Sequence, residues 1–166
     1  DGDYEFIEIT NNSSTTLNTT GVYFGGLGLS YQFPPGSSIM PNQSVILANN
    51  ADVFSSLYGF SPYDEFSRKL SNNSEEIKLL DSFGNLIDLV KYNDDAPWPT
   101  AADGDGAFLV LNSLSDDNSI GSSWSASLDY NTLTVSENID NQLFVYPNPF
   151  TNFVYVSLTN GKIIEK

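Results

Sequence analysis

Histidine and cysteine are both absent from the 166 residues, and methionine occurs once. Within this sequence there is therefore no Ser-His-Asp relay, thiol nucleophile, Cys/His zinc site, His- or Cys-ligated haem or disulfide. Positive charge is scarce as well. Six Lys and Arg stand against twenty-one Asp and Glu, a formal charge of −15. Neutralising phosphates takes clustered cations, so neither nucleic acid nor an anionic membrane surface is an expected partner. No apolar run approaches the roughly 20 residues that span a bilayer, and membrane insertion is not expected. The chain opens on Asp1 without Met or a basic-then-apolar leader, which reads as an internal or processed fragment. The chemistries left open are carboxylate acid–base work, cation binding through oxygen ligands, and binding without chemistry.

What is present favours strands and turns. Eleven Phe, nine Tyr and two Trp, within 40% apolar residues, supply a real core at this length. Asn, Ser and Thr number fifty, and they compete with helical backbone hydrogen bonds. YEFIEIT at 4–10, SVILAN at 44–49 and AFLVLN at 107–112 read as strands, and GVYFGGLGLSYQF at 21–33 as two short ones broken at Gly25-Gly26. EEIKLL and LIDLVKY flank Asp81-Ser82-Phe83-Gly84-Asn85, a hairpin pattern. One helix is predicted over 51–59, capped by Asn50, with Val53, Phe54 and Leu57 on one face. This spacing predicts an all-β antiparallel sandwich with a single short helix over 1–128. A polar linker is expected over 129–141, and a partial second β unit over 142–166.

The stretches YEFIEITNNS at 4–13, YQFPPGSSIMPNQSVILANN at 31–50 and LSNNSEEIKLLDSFGNLIDLVKYNDDAPWPTAADGDGAFLVL at 70–111, with Ser123-Trp124, resemble the bacterial lamin-tail domain. The resemblance covers roughly residues 4–127 and implies an immunoglobulin-like β-sandwich. The family's usual first strand, reading like Asn-Glu-Ile, would sit before Asp1. Further on, LFVYPNPFTNFVYVSL, with Tyr146-Pro147-Asn148-Pro149-Phe150 at its centre, is similar to the start of the C-terminal sorting domain of type IX secretion cargo in Bacteroidetes. That resemblance implies export to the outer surface, with the type IX machinery as a partner. About a third of such a domain is present.

Several clusters invite a functional reading, each beside a plainer one. Asp94, Asp95, Asp103 and Asp105 fall within twelve residues, with Gly104 and Gly106 between and after them. Calcium takes such oxygens, but no Glu closes the loop as in an EF-hand, and Asp at turns and caps explains the pattern more simply. Asp1 and Asp3 around Gly2, and Asp116-Asp117-Asn118, are weaker cases of the same kind. Trp98, held between Pro97 and Pro99, is the ring best placed for a sugar platform; the plainer reading folds it back as a plug over the sandwich end. Trp124 is assigned to the core. Sequons at Asn11, Asn12, Asn18, Asn42 and Asn72 read as loop composition. Glu5 and Glu8 have opposite strand parity and Glu75 and Glu76 are adjacent, so neither pair faces one site, and no nucleophile–base–orienter set can be assembled. The expected function is a non-catalytic extracellular accessory or interaction domain without a cofactor, meeting a surface protein or glycan. The alternatives are an appendage of a secreted nuclease- or phosphatase-type hydrolase whose catalytic domain lies elsewhere, and a calcium- or glycan-binding module.

Overall fold

The computed structural model describes residues 3–103 and 106–129, all within Asp1–Ser136, the first of the chain's two units. Apart from Asp129, the expected linker and the β unit over 142–166, with Tyr146, Pro147, Asn148, Pro149 and Phe150, lie outside the described residues. So does Asp105.

The hydrophobic run SVILA becomes the centre of the molecule. It forms β5 (Ser44–Ala48), buried at every position, as a strand covered on both faces must be. On one side β5 pairs antiparallel with β1 (Phe6–Thr10), bringing Ile7 opposite Leu47 and Ile9 opposite Val45. On its other side it pairs in parallel with the two-residue β6 (Asp64–Glu65), a departure from the all-antiparallel arrangement expected. The parallel pair arises because the chain leaves β5 through a helix and returns along the same edge, where the Tyr63 and Phe66 amides bond the carbonyls of Ile46 and Ala48.

The two faces of β5 serve two cores. Val45 and Leu47 join Val22, Phe24, Phe33 and Phe66, with Ile77 and Leu79 packed against them. These last come from a second sheet, in the order β3 (Tyr23–Gly25), β7 (Ser74–Leu80) and β8 (Leu86–Asn93). Ile46 and Ala48 face the other way, onto Phe54, Phe6, Tyr58, Phe60 and Phe108. Edge-to-face contacts set those rings, with Phe6 and Phe54 centroids 5.4 Å apart and Phe6 and Phe108 5.5 Å apart. Two further pairs complete the described architecture: β2 (Leu17–Asn18) with β4 (Ser38–Ile39), and β9 (Phe108–Leu111) with β10 (Trp124–Ser127). The described residues thus form an all-β, immunoglobulin-like fold with one short α-helix.

That helix, α1 (Ala51–Tyr58), starts where expected: the Asn50 side chain accepts from the Val53 amide at 3.0 Å. Gly59, at φ 79°, closes it in the left-handed conformation that favours glycine. The buried face keeps the expected Phe54 but not Leu57. Leu57 is 46% exposed, while Phe54 and Tyr58, four residues apart, turn inward. A helix this short can roll, and the aromatic pair wins because Phe6 and Phe108 receive it.

The hairpin forms as predicted. The Asp81 carboxylate accepts from the Phe83 and Asn85 amides and from the Asn85 side chain, which holds its pKa below the usual carboxylate value, the Asn85 side chain first. Leu80 pairs with Leu86 and Leu79 with Asp88, leaving Ile87 as the extra residue of a bulge. Of the two strands expected in 21–33, β3 is one; the second is reduced to isolated bridges, Tyr23 to Gln32 and Ser30 to Ser67.

Candidate functional site

The acidic loop after β8 is built mostly as turns. The Asp94 amide donates to the Asn73 carbonyl, and the Asp95 amide to Asn93 Oδ1 at 2.7 Å. The Asp95 carbonyl accepts from the Trp98 amide, and the exposed Asp103 donates its amide to the Thr100 carbonyl. Among the described residues no three acidic side chains group as metal ligands. Asp116 and Asp117 also sit in turns; Ser119 donates its amide and hydroxyl to Asp117, lowering that carboxyl's pKa.

Trp98 is 7% exposed and takes the plug arrangement, not that of an open sugar platform. Its ring meets Trp124 at a centroid distance of 5.8 Å, tilted by 32°. Gly121 leaves just enough room: a Cβ there would lie 2.9 Å from Trp98 Cδ1 and 3.0 Å from the Trp98 amide nitrogen. Trp124, expected in the core, is only half-buried, donating its indole N–H to the Asn118 carbonyl at 3.0 Å. Beside this plug, Lys91, Tyr92, Asn93, Asp95, Ala96, Pro97 and Trp98 line a groove of about 390 Å³. The Ala96–Pro97 peptide within it is cis.

Asn11, one of the sequon residues, is 3% exposed. Its Nδ2 lies 2.9–3.0 Å from the carbonyls of Thr15, Ile39 and Met40, and its Oδ1 accepts from the Ser13 amide and hydroxyl. That amide ties the corner before β5 to the loop after β1, and it has no room for a glycan.

Sequence reasoning missed one cluster altogether. The connector from β6 to β7 is gripped by side chains from three strands or their flanks. Glu5 accepts from the Leu70 amide at 2.8 Å, Glu75 from the Ser71 amide at 3.0 Å, and the Tyr92 hydroxyl donates to the Ser71 carbonyl at 2.6 Å. Burial raises the Glu5 pKa, against the Leu70 amide and Lys69, which lower it; Glu75 and Asp3 add to the rise. Burial also raises the Tyr92 phenol, with the charges of Glu75 and Glu5 behind it. Gly28 fits here because a Cβ would fall 2.0 Å from the Glu75 carboxylate oxygens. Upstream, Arg68 has a left-handed φ of 72° and donates Nη1 to the carbonyls of Gly26 and Leu27. No local sequence signal joins Glu5 to a turn sixty-five residues away. Chemically, the grouping places two carboxylates and a phenol on backbone amides and a carbonyl, and all three are engaged in holding the connector.

The outward face of the second sheet is the other notable surface. Because Ile77 and Leu79 face the core, their neighbours Glu76, Lys78 and Leu80 face away. Across the β7–β8 pair these meet Lys91, Leu89 and Leu86 in turn. Lys78 makes an ion pair with Glu76, and that contact, first as a hydrogen bond, lowers the exposed Glu76 carboxyl.

Comparison with known proteins gives one relationship. The lamin tail domain family model matches residues 1–94. The searches of curated proteins and of solved structures returned no match.

Proposed function

Because the chain belongs to the lamin tail domain family, we propose that it is a non-catalytic accessory module of an exported protein, working by interaction at the outer cell surface. Family membership carries this reading. The sequence supports it, since without His or Cys the usual nucleophile–base sets are missing. The phenol and carboxylates that do come together in the described residues are engaged with backbone groups of one connector. Delivery through the type IX system is inferred from Tyr146-Pro147-Asn148-Pro149-Phe150 and the strand-like residues around it, read as the start of a sorting domain.

The experiment is made on the native protein in its source. Its intact mass and terminal peptides are measured, and its culture supernatant, envelope and cytoplasm are probed with antibody. Export is the expected result, with the mass and peptides deciding whether the module is an appendage of a larger chain or the working part itself, and a hydrolase panel on the 166 residues alone is expected to read zero. Turnover by these residues alone would overturn the non-catalytic reading. Retention of the native protein in the cytoplasm would overturn export.

A further inference from the structure

The turn between β7 and β8 is held at several points at once. The Asp81 carboxylate accepts from the Phe83 and Asn85 amides and from the Asn85 side chain, and the Asp81 amide donates to the Asn85 carbonyl. Gly84 turns the chain at φ 88°, its amide returning to the Asp81 carbonyl. A Cβ at Gly21 would lie 3.1 Å from Ser82 Cβ, so the residues before β3 back the turn closely. The side chains that this turn presents are apolar: Phe83 is 89% exposed, and Leu86 and Ile87 are 56% and 53% exposed. Single exposed apolar residues are ordinary, but three between positions 83 and 87 on one fixed tip form a patch. The turn uses the carboxylate of Asp81 and the freedom of Gly84, whereas a ring as open as that of Phe83 adds little to folding. Carried on a fixed backbone, it loses less freedom when bound, which suits an interface anchor.

Charge beside the patch has one sign. Asp81 and Asp88 flank it in the chain, and among the described residues neither has a cation within ion-pair distance. The Asn118 side chain bonds Asp88, which brings the segment carrying Asp117 alongside. The cations of this sheet, Lys78 and Lys91, stand further from the turn, where Glu76 pairs with Lys78 and lies opposite Lys91.

We propose that the β7–β8 turn is a preformed anchor that seats Phe83, Leu86 and Ile87 on an apolar surface of another protein, rimmed by Lys and Arg that meet Asp81 and Asp88. The inference rests on the module acting through interaction, and names its surface and the chemistry of its partner. Contact is through side chains and not by strand addition, because the Leu89 amide of β8 is taken by the Asp88 carboxylate, which also accepts from Asn118. A second copy of the chain fits less well. It carries the same −15, and two tips brought together would set unpaired carboxylates against each other. The same charge opposes an anionic lipid surface.

The test uses the 166-residue chain and two labelled synthetic helices with a leucine stripe, one flanked by Lys and the other by Glu. Fluorescence anisotropy should show binding of the Leu-Lys helix, weakened by salt, and little binding of the Leu-Glu helix. Phe83→Ser should lower affinity for the Leu-Lys helix by about ten-fold, and Leu86→Ser combined with Ile87→Ser should lower it too. Leu27→Ser is the control for attraction by net charge alone. Leu27 is equally exposed, between glycines that approach Glu75 and Glu76 at the other end of β7, and its loss should leave affinity unchanged. Amide chemical-shift changes should concentrate on residues 81–88. Equal binding of both helices, no binding of either, an affinity that survives Phe83→Ser, capture by neutral phosphatidylcholine vesicles through the same residues, or dimerisation that Phe83→Ser abolishes would each overturn the proposal. None of these outcomes touches the non-catalytic reading, which the hydrolase panel tests separately.

Discussion

At the scale of single residues, the side chains with most effect on the fold are polar. Asn11 is the clearest: it is buried and its amide answers backbone groups of three loop or strand-end residues. Asn11→Ala strands buried carbonyls, so urea unfolding should show a loss of about 2–3 kcal/mol. A loss below about 0.5 kcal/mol would mean that water replaces the amide at no cost. Glu5 behaves in the opposite sense. Its folded pKa is raised, so the native state binds the proton more tightly than the unfolded chain does. Its contribution to stability therefore grows as pH falls through its folded pKa and is complete below the ordinary carboxylate value. At neutral pH its charge is a burden. Glu5→Gln keeps an acceptor for the Leu70 amide without that charge. The variant should melt no lower than wild type at pH 7, and should lose the advantage by about pH 4. A variant that melts well below wild type at pH 7 would show that the Glu5 charge is what holds Leu70.

At the scale of elements, the sandwich end rests on close approach. Gly121→Ala would push a methyl group into Trp98, whose amide and ring are both too near to yield easily. The expected cost is about 1–3 kcal/mol, with a changed near-ultraviolet signal from the Trp98–Trp124 pair. An unchanged spectrum would mean that the plug adjusts without strain. The same elements show which features the sequence makes legible. Helix α1 is readable because Asn50 and Gly59 are local signals, and the hairpin because Asp81 to Asn85 encodes its own turn. The strand β5 is readable because five buried positions leave an unbroken apolar run. The inward face of α1 is not, since Phe6 and Phe108, distant in sequence, choose Tyr58 over Leu57. Nor is β6: two acidic residues carry no strand pattern, and only the returning bonds to Ile46 and Ala48 make them one. The candidate site follows the same rule. Asp94, Asp95 and Trp98 are visible as residue types, whereas the burial of Trp98 depends on Gly121 and Trp124, and the grip on Leu70 and Ser71 on three separate strands or their flanks.

At the scale of the whole molecule, charge and the double core act together. With a net charge of −15 the folded chain repels itself. Moderate salt should raise its melting temperature, since that repulsion is screened. A melting temperature that drops with salt would mean that attractive surface pairs outweigh the repulsion. Strand β5 has a further consequence. Val45 and Leu47 belong to one core and Ile46 and Ala48 to the other, so neither core can open while the other keeps that strand in place. The Leu47 amide should therefore have no local route to deuterium: its exchange should report global unfolding, and be among the slowest in the domain. The two halves of the sandwich then share a single clock, and whatever slows opening at the β8 sheet is also read at the far side, in the aromatic cluster around Phe54.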